Sequence, residues 1–403
     1  MEGLSAAEVA DLAGVTGTEV ERLVELGVLV ARDGAGPFLE SDVQKVRLAV
    51  ACDRAGLPME EIAAAVRAGR LSFAFLEGTP FRRWAVRSGP TYRQVSRDTG
   101  IPLATLGAVL ESMGFARVGP DEPMREDELA VMPFLRHALS SGIFDLPWLT
   151  RLSRAHVEGL RLIATAWGEA YQARFEGPVL ASGGDQQAAM EWAAQQSIDF
   201  LPLGDPALLA MYRRQEELLW TEGLVERIEH ELEGAGVLGR PGRVPAMCFL
   251  DLTGYTRLTE ERGDEVAADV AGRLAGLVND ISRSRRGRPV RWLGDGGMFH
   301  FPEPRAAVAA GLDVVEHAPA VGLPAAHVGI HTGPVVFQDG DVYGATVNVA
   351  ARIASYARAG QVVVSEETAH RSDGDELRFR PLGPVDLKGV ARPLPLYQVV
   401  RGS

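Results

Sequence analysis

The chain has almost no cysteine. Among its 403 residues only Cys52 and Cys248 are present, which excludes a disulfide framework and a cysteine metal cluster. Both lie in apolar stretches and read as core residues rather than redox centres. No apolar run approaches the roughly 18 residues that a membrane-spanning helix needs. The opening MEGLSAAEVADLAG carries acids and reads as an amphipathic helix, not a signal peptide. Basic charge is also scarce, with 41 Lys and Arg against 54 acids and a net charge of −13. Phosphate contacts supply most nucleic-acid affinity, so this balance argues against a dedicated nucleic-acid protein. The expected compartment is a reducing cytoplasm. What remains is an ordinary globular composition, 46% hydrophobic and 24% charged, on a chain long enough for more than one domain.

The first 145 or so residues repeat themselves at an offset near 86. EVADLAGVTGTEVERLVELGVL at 8–29 aligns with QVSRDTGIPLATLGAVLESMGF at 94–115. Gly14 matches Gly100, Val15 matches Ile101, Val20 matches Leu106, and the helices stop at Gly27 and Gly114. Further on, Asp42 falls near Asp127 and Gly56 opposite Gly142. Each copy reads helix, glycine turn, helix, short connection, longer helix. The pattern resembles the helix-turn-helix head of MerR-type regulators, closest over 1–80, with a second copy at 81–145. That resemblance would place the second helix in a major groove, where polar or basic side chains are needed. Here that helix offers Glu19, Glu21 and Glu25 against Arg22, and the second copy offers no base. Acidic helices are repelled by phosphate, so the repeats read as packing and regulatory units and DNA is not the expected partner.

Residues 146–240 read as a helical regulatory and connecting region. Leu152, Val157, Leu160, Ile163, Ala164 and Trp167 mark one face of a long helix. A glycine-rich break follows at Ala181–Asp185, and LPLGDP at 201–206 interrupts the pattern again. Asp205-Pro206 then reads as the start of a further helix, running to about Glu233. Its internal Gly223 costs about 1 kcal/mol relative to alanine and is a candidate weak point for a switch. His137 and His156 titrate near neutrality, so a proton or a small apolar ligand is a conceivable input. Gly234–Gly242, with four glycines, reads as the domain boundary.

From Val244 the pattern alternates between strand and helix. VPAMCFLDLTGYT reads as a buried strand entering a tight turn, and TEERGDEVAADVAGRLAGLVNDI as an amphipathic helix. PVRWLGDGGMFHFP reads as a hairpin, RAAVAAGLDVVEHA as a helix and AAHVGIHTGPVVF as a strand. TVNVAARIASYA reads as a helix, and GQVVVSEETA, LRFRPLGPVDLKG and LPLYQVV close the domain. The order β-α-β-β-α-β is the ferredoxin-like arrangement. Two acids sit where strands should end, Asp251 in FLDLTGYT and Asp295 in LGDGGMFHF. Singly, an aspartate in a glycine turn is ordinary turn chemistry. Together they suit metal-bound phosphates, as does the Thr253-Gly254-Tyr255-Thr256 turn, whose following helix has free N–H groups. Asn348 and Arg352, four apart, share one helical face.

With the segment GDVYGATVNVAARIASYA, these residues resemble the class III adenylate and guanylate cyclase family over 244–403. The resemblance implies that Asp251 and Asp295 bind two metal ions, Mg²⁺ or Mn²⁺, since oxygen ligands and phosphates suit both. It implies that Asn348 orients the ribose, that Arg352 stabilises charge on the α-phosphoryl group, and that Lys388 in DLKGV contacts the triphosphate. The reaction would be attack of the ribose 3′ oxygen on the α-phosphorus with loss of pyrophosphate, which depends on placement and charge neutralisation. Adenylate-making members carry a lysine before the second metal aspartate and an aspartate seven residues before the asparagine. Asp341 fills the second place and can accept from the adenine amino group. Arg291 stands where lysine is expected, and its planar fork is not equivalent to an ammonium. The guanylate pattern would put glutamate there. The family further implies a head-to-tail homodimer with shared composite sites. The expected architecture is therefore multi-domain: an all-α N-terminal regulatory half and an α+β ferredoxin-like cyclase domain that makes cyclic AMP from ATP. A guanylate cyclase and a nucleotide-binding transcription regulator with little or no turnover stay open as alternatives.

Overall fold

A computed structural model describes residues 3–34, 36–77, 85–117, 119–237, 244–292 and 294–402. The expected boundary at 80/81 and most of the glycine-rich stretch 234–242 lie outside the described residues. The chain separates into two compact units, Met1–Trp220 and Thr221–Ser403. Among the described residues no helix is long and apolar enough to cross a membrane.

In the first unit the repeat becomes two sets of short helices. The first set is α1 (Ala6–Ala13), α2 (Gly17–Glu25), α3 (Glu40–Arg54) and α4 (Met59–Arg67). The second holds α5 (Tyr92–Thr99), α6 (Leu103–Ser112) and α7 (Glu126–Ser140). Strands β1 (Arg87–Thr91) and β2 (Pro123–Arg125) pair antiparallel beside them. Reciprocal capping fixes the helix starts: Ser5 with Glu8, Thr16 with Glu19, Thr91 with Gln94. Each set has its own apolar cluster, one around Val20, Leu23, Val46 and Leu76, the other around Val95, Leu106, Val109 and Leu135. Arg22, the one base on α2, is held by Glu60 at 2.8 Å.

Then α8 (Leu146–Tyr171) starts from the Asp145 cap, and its last turn widens into a π-helical turn at Gln172–Glu176. After it come α9 (Gly177–Ala181), α10 (Gln186–Gln196) and α11 (Leu201–Gly234). The expected apolar stripe on α8 is only partly covered: Leu152, Val157 and Ile163 are partly buried, while Leu160 and Trp167 are each 55% exposed. Nor does LPLGDP break the helix. Helix α11 starts at Leu201 and runs through Pro206, which at the sixth position forgoes one N–H bond, to the residue 202 carbonyl, in a helix of 34 residues.

The second unit is built on β3 (Ala246–Leu252), followed by α12 (Tyr255–Arg262) and α13 (Asp264–Ser284). The single helix expected at 259–281 is thus two, parted at Gly263. Strands β4 (Arg288–Trp292) and β5 (Gly296–Phe301) form the expected hairpin, then come α14 (Pro304–His317) and β6 (Ala326–Thr332). The expected strand AAHVGIHTGPVVF ends early, at Thr332. A separate ribbon follows, β7 (Val336–Gln338) and β8 (Asp341–Tyr343). Its turn residues Asp339 and Gly340 have φ of 56° and 81°, a two-residue turn whose twist suits a hairpin. The chain closes with α15 (Ala345–Tyr356), β9 (Val362–Ser365), α16 (Glu366–Arg371), β10 (Leu377–Val385) and β11 (Leu394–Arg401).

The seven-stranded sheet has the order β10-β11-β9-β6-β3-β5-β4, with β6 and β9 parallel and the other neighbours antiparallel. Its β6-β3-β5-β4 part is the ferredoxin-like core expected from the sequence. Central strands are covered on both faces, which is why their sequences run nearly all apolar. One face packs Cys248, Leu250, Phe299 and Ile330 with α13 and α14. Burial pushes the Cys248 thiol up to about 12, so it is an inert core group. On the other face Met247 and Met298 meet Val342 of β8 and Ala350 of α15. Helix α15 lies directly on β6, where a Cβ at Gly329 would come within 2.0 Å of the Ala354 nitrogen.

This contact sets the height of α15 above the sheet. Gly329→Ala is expected to cost roughly 2–3 kcal/mol, in the range of core overpacking, lowering the denaturation midpoint of the second unit while leaving the first unchanged.

Candidate active site

The site begins where β3 and β5 pair. Asp251 lies opposite Gly296, so Asp295, just before β5, arrives beside it. The Leu252 N–H donates to the Asp295 carbonyl at 3.1 Å and locks this register. Only glycine fits at 296: a Cβ there would lie 2.4 Å from the Leu250 carbonyl oxygen and 3.0 Å from Asp251 Oδ1. Burial, reinforced by the Asp295 charge and a hydrogen bond between the two carboxyl groups, pushes Asp251 up to about 6. Two half-buried carboxylates at this spacing repel one another, and a divalent cation relieves that repulsion. The donor set is all oxygen. Among the described residues no group of three or more His, Cys, Asp or Glu is placed to hold a metal ion.

His327 of β6 was not foreseen from sequence. It faces Asp251 in register, its Nε2 lies 3.8 Å from Asp251 Oδ2, and its Nδ1 lies 3.4 Å from Thr253 Oγ1. Burial holds this imidazole below the usual histidine range. Alternation in AAHVGIHTG puts it on the same sheet face as the aspartates, but only the β3–β6 pairing brings it across from Asp251.

Gly254 starts α12 with φ of 78° and no side-chain cap. The first N–H groups of that helix are therefore open to an anion. Thr253 and Thr256 are exposed on the turn. Tyr255 behaves differently: its hydroxyl donates to the Ala267 carbonyl at 2.9 Å and its ring packs on the core. Its side chain is taken up by packing, which leaves only its backbone N–H at the helix start.

Arg291 and Asp341 form an ion pair, with Asp341 Oδ1 also accepting from the Val342 N–H at 2.9 Å. A bulge makes this possible. The β4–β5 register slips between Pro289 and Arg291, and one extra residue re-aims the side chains that follow. Asn348 and Arg352 stand exposed on one face of α15, and Lys388 is exposed between β10 and β11. The structure thus gathers the residues singled out from sequence into an aspartate pair, an Arg291–Asp341 pair and the α15 face. Among the described residues the three groups stay separate: Arg291 bonds Asp341, and His327 lies beside Asp251.

Residues 243–400 match the family described as the adenylate and guanylate cyclase catalytic domain. That part of the chain is a class III nucleotide cyclase catalytic domain. The pH-sensitive adenylate cyclase MT1302 of Mycobacterium tuberculosis is 28% identical over 332 residues, covering 77% of this chain and 78% of its own. An adenylate cyclase of Streptomyces coelicolor is 25% identical over 272 residues, 67% of this chain and 68% of its own. The crystal structure of the adenylyl cyclase CyaB from P. aeruginosa covers 40% of this chain and 95% of its own, at 26% identity and a TM-score of 0.37.

Removing one of two like charges should stabilise the protein. Asp295→Asn is expected to raise the melting temperature without added metal, by an amount equivalent to about 0.5–1 kcal/mol. Added Mn²⁺ should raise the melting temperature of the wild type and not of the variant. Differential scanning fluorimetry checks both.

Proposed function

We propose that the chain is an adenylate cyclase that converts ATP to cyclic AMP and pyrophosphate, works as a homodimer, and is regulated by its helical N-terminal half. The observation that carries this reading is the Asp251–Asp295 pair, held at the ends of adjacent strands and electrostatically deficient without a cation. These two residues would hold Mg²⁺ or Mn²⁺, two ions per site, which when bound activate the attacking 3′ oxygen and offset phosphate charge. The open N–H groups at the start of α12, around Thr253-Gly254-Tyr255-Thr256, are suited to triphosphate oxygens. Asp341 accepts from the adenine amino group and Arg291 donates to a ring nitrogen, each giving up part of its bond to the other. Asn348 orients the ribose, Arg352 offsets the charge that develops on the α-phosphoryl group, and Lys388 contacts the triphosphate.

Asn348 and Arg352 stand exposed on α15, open to a second molecule. That supports composite sites, in which a second copy supplies the α15 residues opposite the metal pair. The uncovered apolar side chains of α8 and α11, among them Trp167, Met211 and Leu218, fit an assembly of copies. Regulation finds support in the tail of α11, where Glu229 lies 3.8 Å from Arg286 in the turn before β4. Strand β4 carries Arg291, so a change in α11, with Gly223 as its weak point, reaches the base-recognition pair. The match to the pH-sensitive mycobacterial enzyme extends beyond the cyclase domain, and a proton or a small apolar molecule is the class of input proposed.

A guanylate cyclase is the second reading, since residue 291 is arginine rather than the lysine of adenylate-making members, although a guanidinium suits the donor face of guanine badly. Purified full-length protein with Mg²⁺ or Mn²⁺, offered ATP and GTP in parallel, separates the two. The expected product is cyclic AMP, with kcat reduced about 100-fold or more by Asp295→Ala and by Arg352→Ala. Mixing these two inactive variants should return part of the activity, because a mixed dimer has one intact composite site. Preference for GTP, or no cyclic product with either metal, would overturn the assignment.

A further inference from the structure

The β7–β8 ribbon is a two-stranded sheet of its own, with three residues in each strand, yet it carries Asp341. A ribbon this short is not stable by itself. Whatever docks it onto the β4–β5 hairpin therefore decides where Asp341 stands. Two of the contacts are already described: buried Val342 against Met247 and Met298, and the Arg291–Asp341 ion pair. A third involves Phe337. It pairs directly with Val342, so both side chains point to the same face of the ribbon. The Phe337 ring meets His300 edge to face, with centroids 4.9 Å apart and planes at 82°. The Arg288 guanidinium carbon sits 4.4 Å from the same ring's centroid. Arg288 and His300 are themselves direct partners across β4 and β5. Because of the bulge after Pro289, Arg288 and Arg291, three residues apart, both reach the ribbon.

We infer that Phe337, seated against Arg288 and His300, is a positioning residue for purine recognition: it clamps the β7–β8 ribbon to the β4–β5 hairpin and holds Asp341 within bonding reach of Arg291. Cation–π and edge-to-face contacts both require an aromatic ring at this position. His300 is 5% exposed, and burial together with the Arg288 charge lowers it to about 4. At neutral pH a single positive charge, that of Arg288, therefore lies over the Phe337 ring. The clamp follows from geometry alone; its consequence for the choice of purine rests on the cyclase reading.

The test compares Phe337→Leu, which keeps apolar volume but removes the ring, and Phe337→Tyr, which keeps the ring, in the full-length chain. In Phe337→Leu the cross-bonded ribbon amides at 338 and 343 should exchange hydrogen about tenfold faster, with the sheet amides unchanged. The KM for ATP should rise about tenfold with kcat changed less than about threefold, and the preference for ATP over GTP should fall. Phe337→Tyr should stay near wild type on each count. Unchanged ribbon exchange in Phe337→Leu would overturn the clamp. Faster exchange with wild-type KM and wild-type purine preference would overturn the positioning role. If the wild type makes no cyclic nucleotide, the cyclase assignment fails separately, exchange still decides the clamp, and preference is read from equilibrium binding of ATP against GTP.

Discussion

Two carboxylates that repel one another are the constraint around which the cyclase domain is organised. Asp251 and Asp295 stay together because backbone pairing leaves them no alternative: β3 and β5 are in register, and the Leu252 N–H is bonded across to the Asp295 carbonyl. The energy for holding them comes from elsewhere, from strands buried on both faces and from the helices over them. A site that is unfavourable when empty and favourable with a cation is the usual signature of residues kept for chemistry rather than stability.

The same logic extends outward from the aspartate pair. Helix α15 can lie directly on β6 only because residue 329 has no side chain, and that seating fixes where Asn348 and Arg352 emerge. The β7–β8 ribbon is less secure. Its backbone pairs only with itself, and side chains alone dock it: a buried valine, an aromatic clamp and an ion pair. Of the groups proposed to touch the nucleotide, Asp341 is thus the one whose position depends most on contacts that can be broken. In the described chain its partner is Arg291, whose planar guanidinium spreads the positive charge that a lysine would concentrate at one point.

The N-terminal half follows a different physical plan. Its first two helix sets bury compact apolar clusters, and reciprocal caps define their starts. Helices α8 and α11, by contrast, expose tryptophan, leucine and isoleucine to solvent in a single chain. Apolar surface of that extent calls for cover. The tail of α11 is tied to the turn before β4 through Glu229 and Arg286.

Much of this was legible in the residues alone. The repeat near 86 residues, the ferredoxin-like strand order, and Asp251, Asp295, Arg291 and Asp341 as candidate residues follow from pattern and motif, because period and turn chemistry are local properties; that Arg291 bonds Asp341 does not. Other features were not. The turn of helix before Pro206 was missed because Asp-Pro also reads as a helix start. The break at Gly263 and the early end of β6 are short, and local pattern places element ends poorly. His327 beside Asp251, and Phe337 against Arg288 and His300, depend on strand register and on a bulge, which join residues far apart in the chain. The sequence by itself determined which groups could do the chemistry. The tertiary structure decided which of them meet, because register and docking come from packing between distant segments, and no local pattern records that.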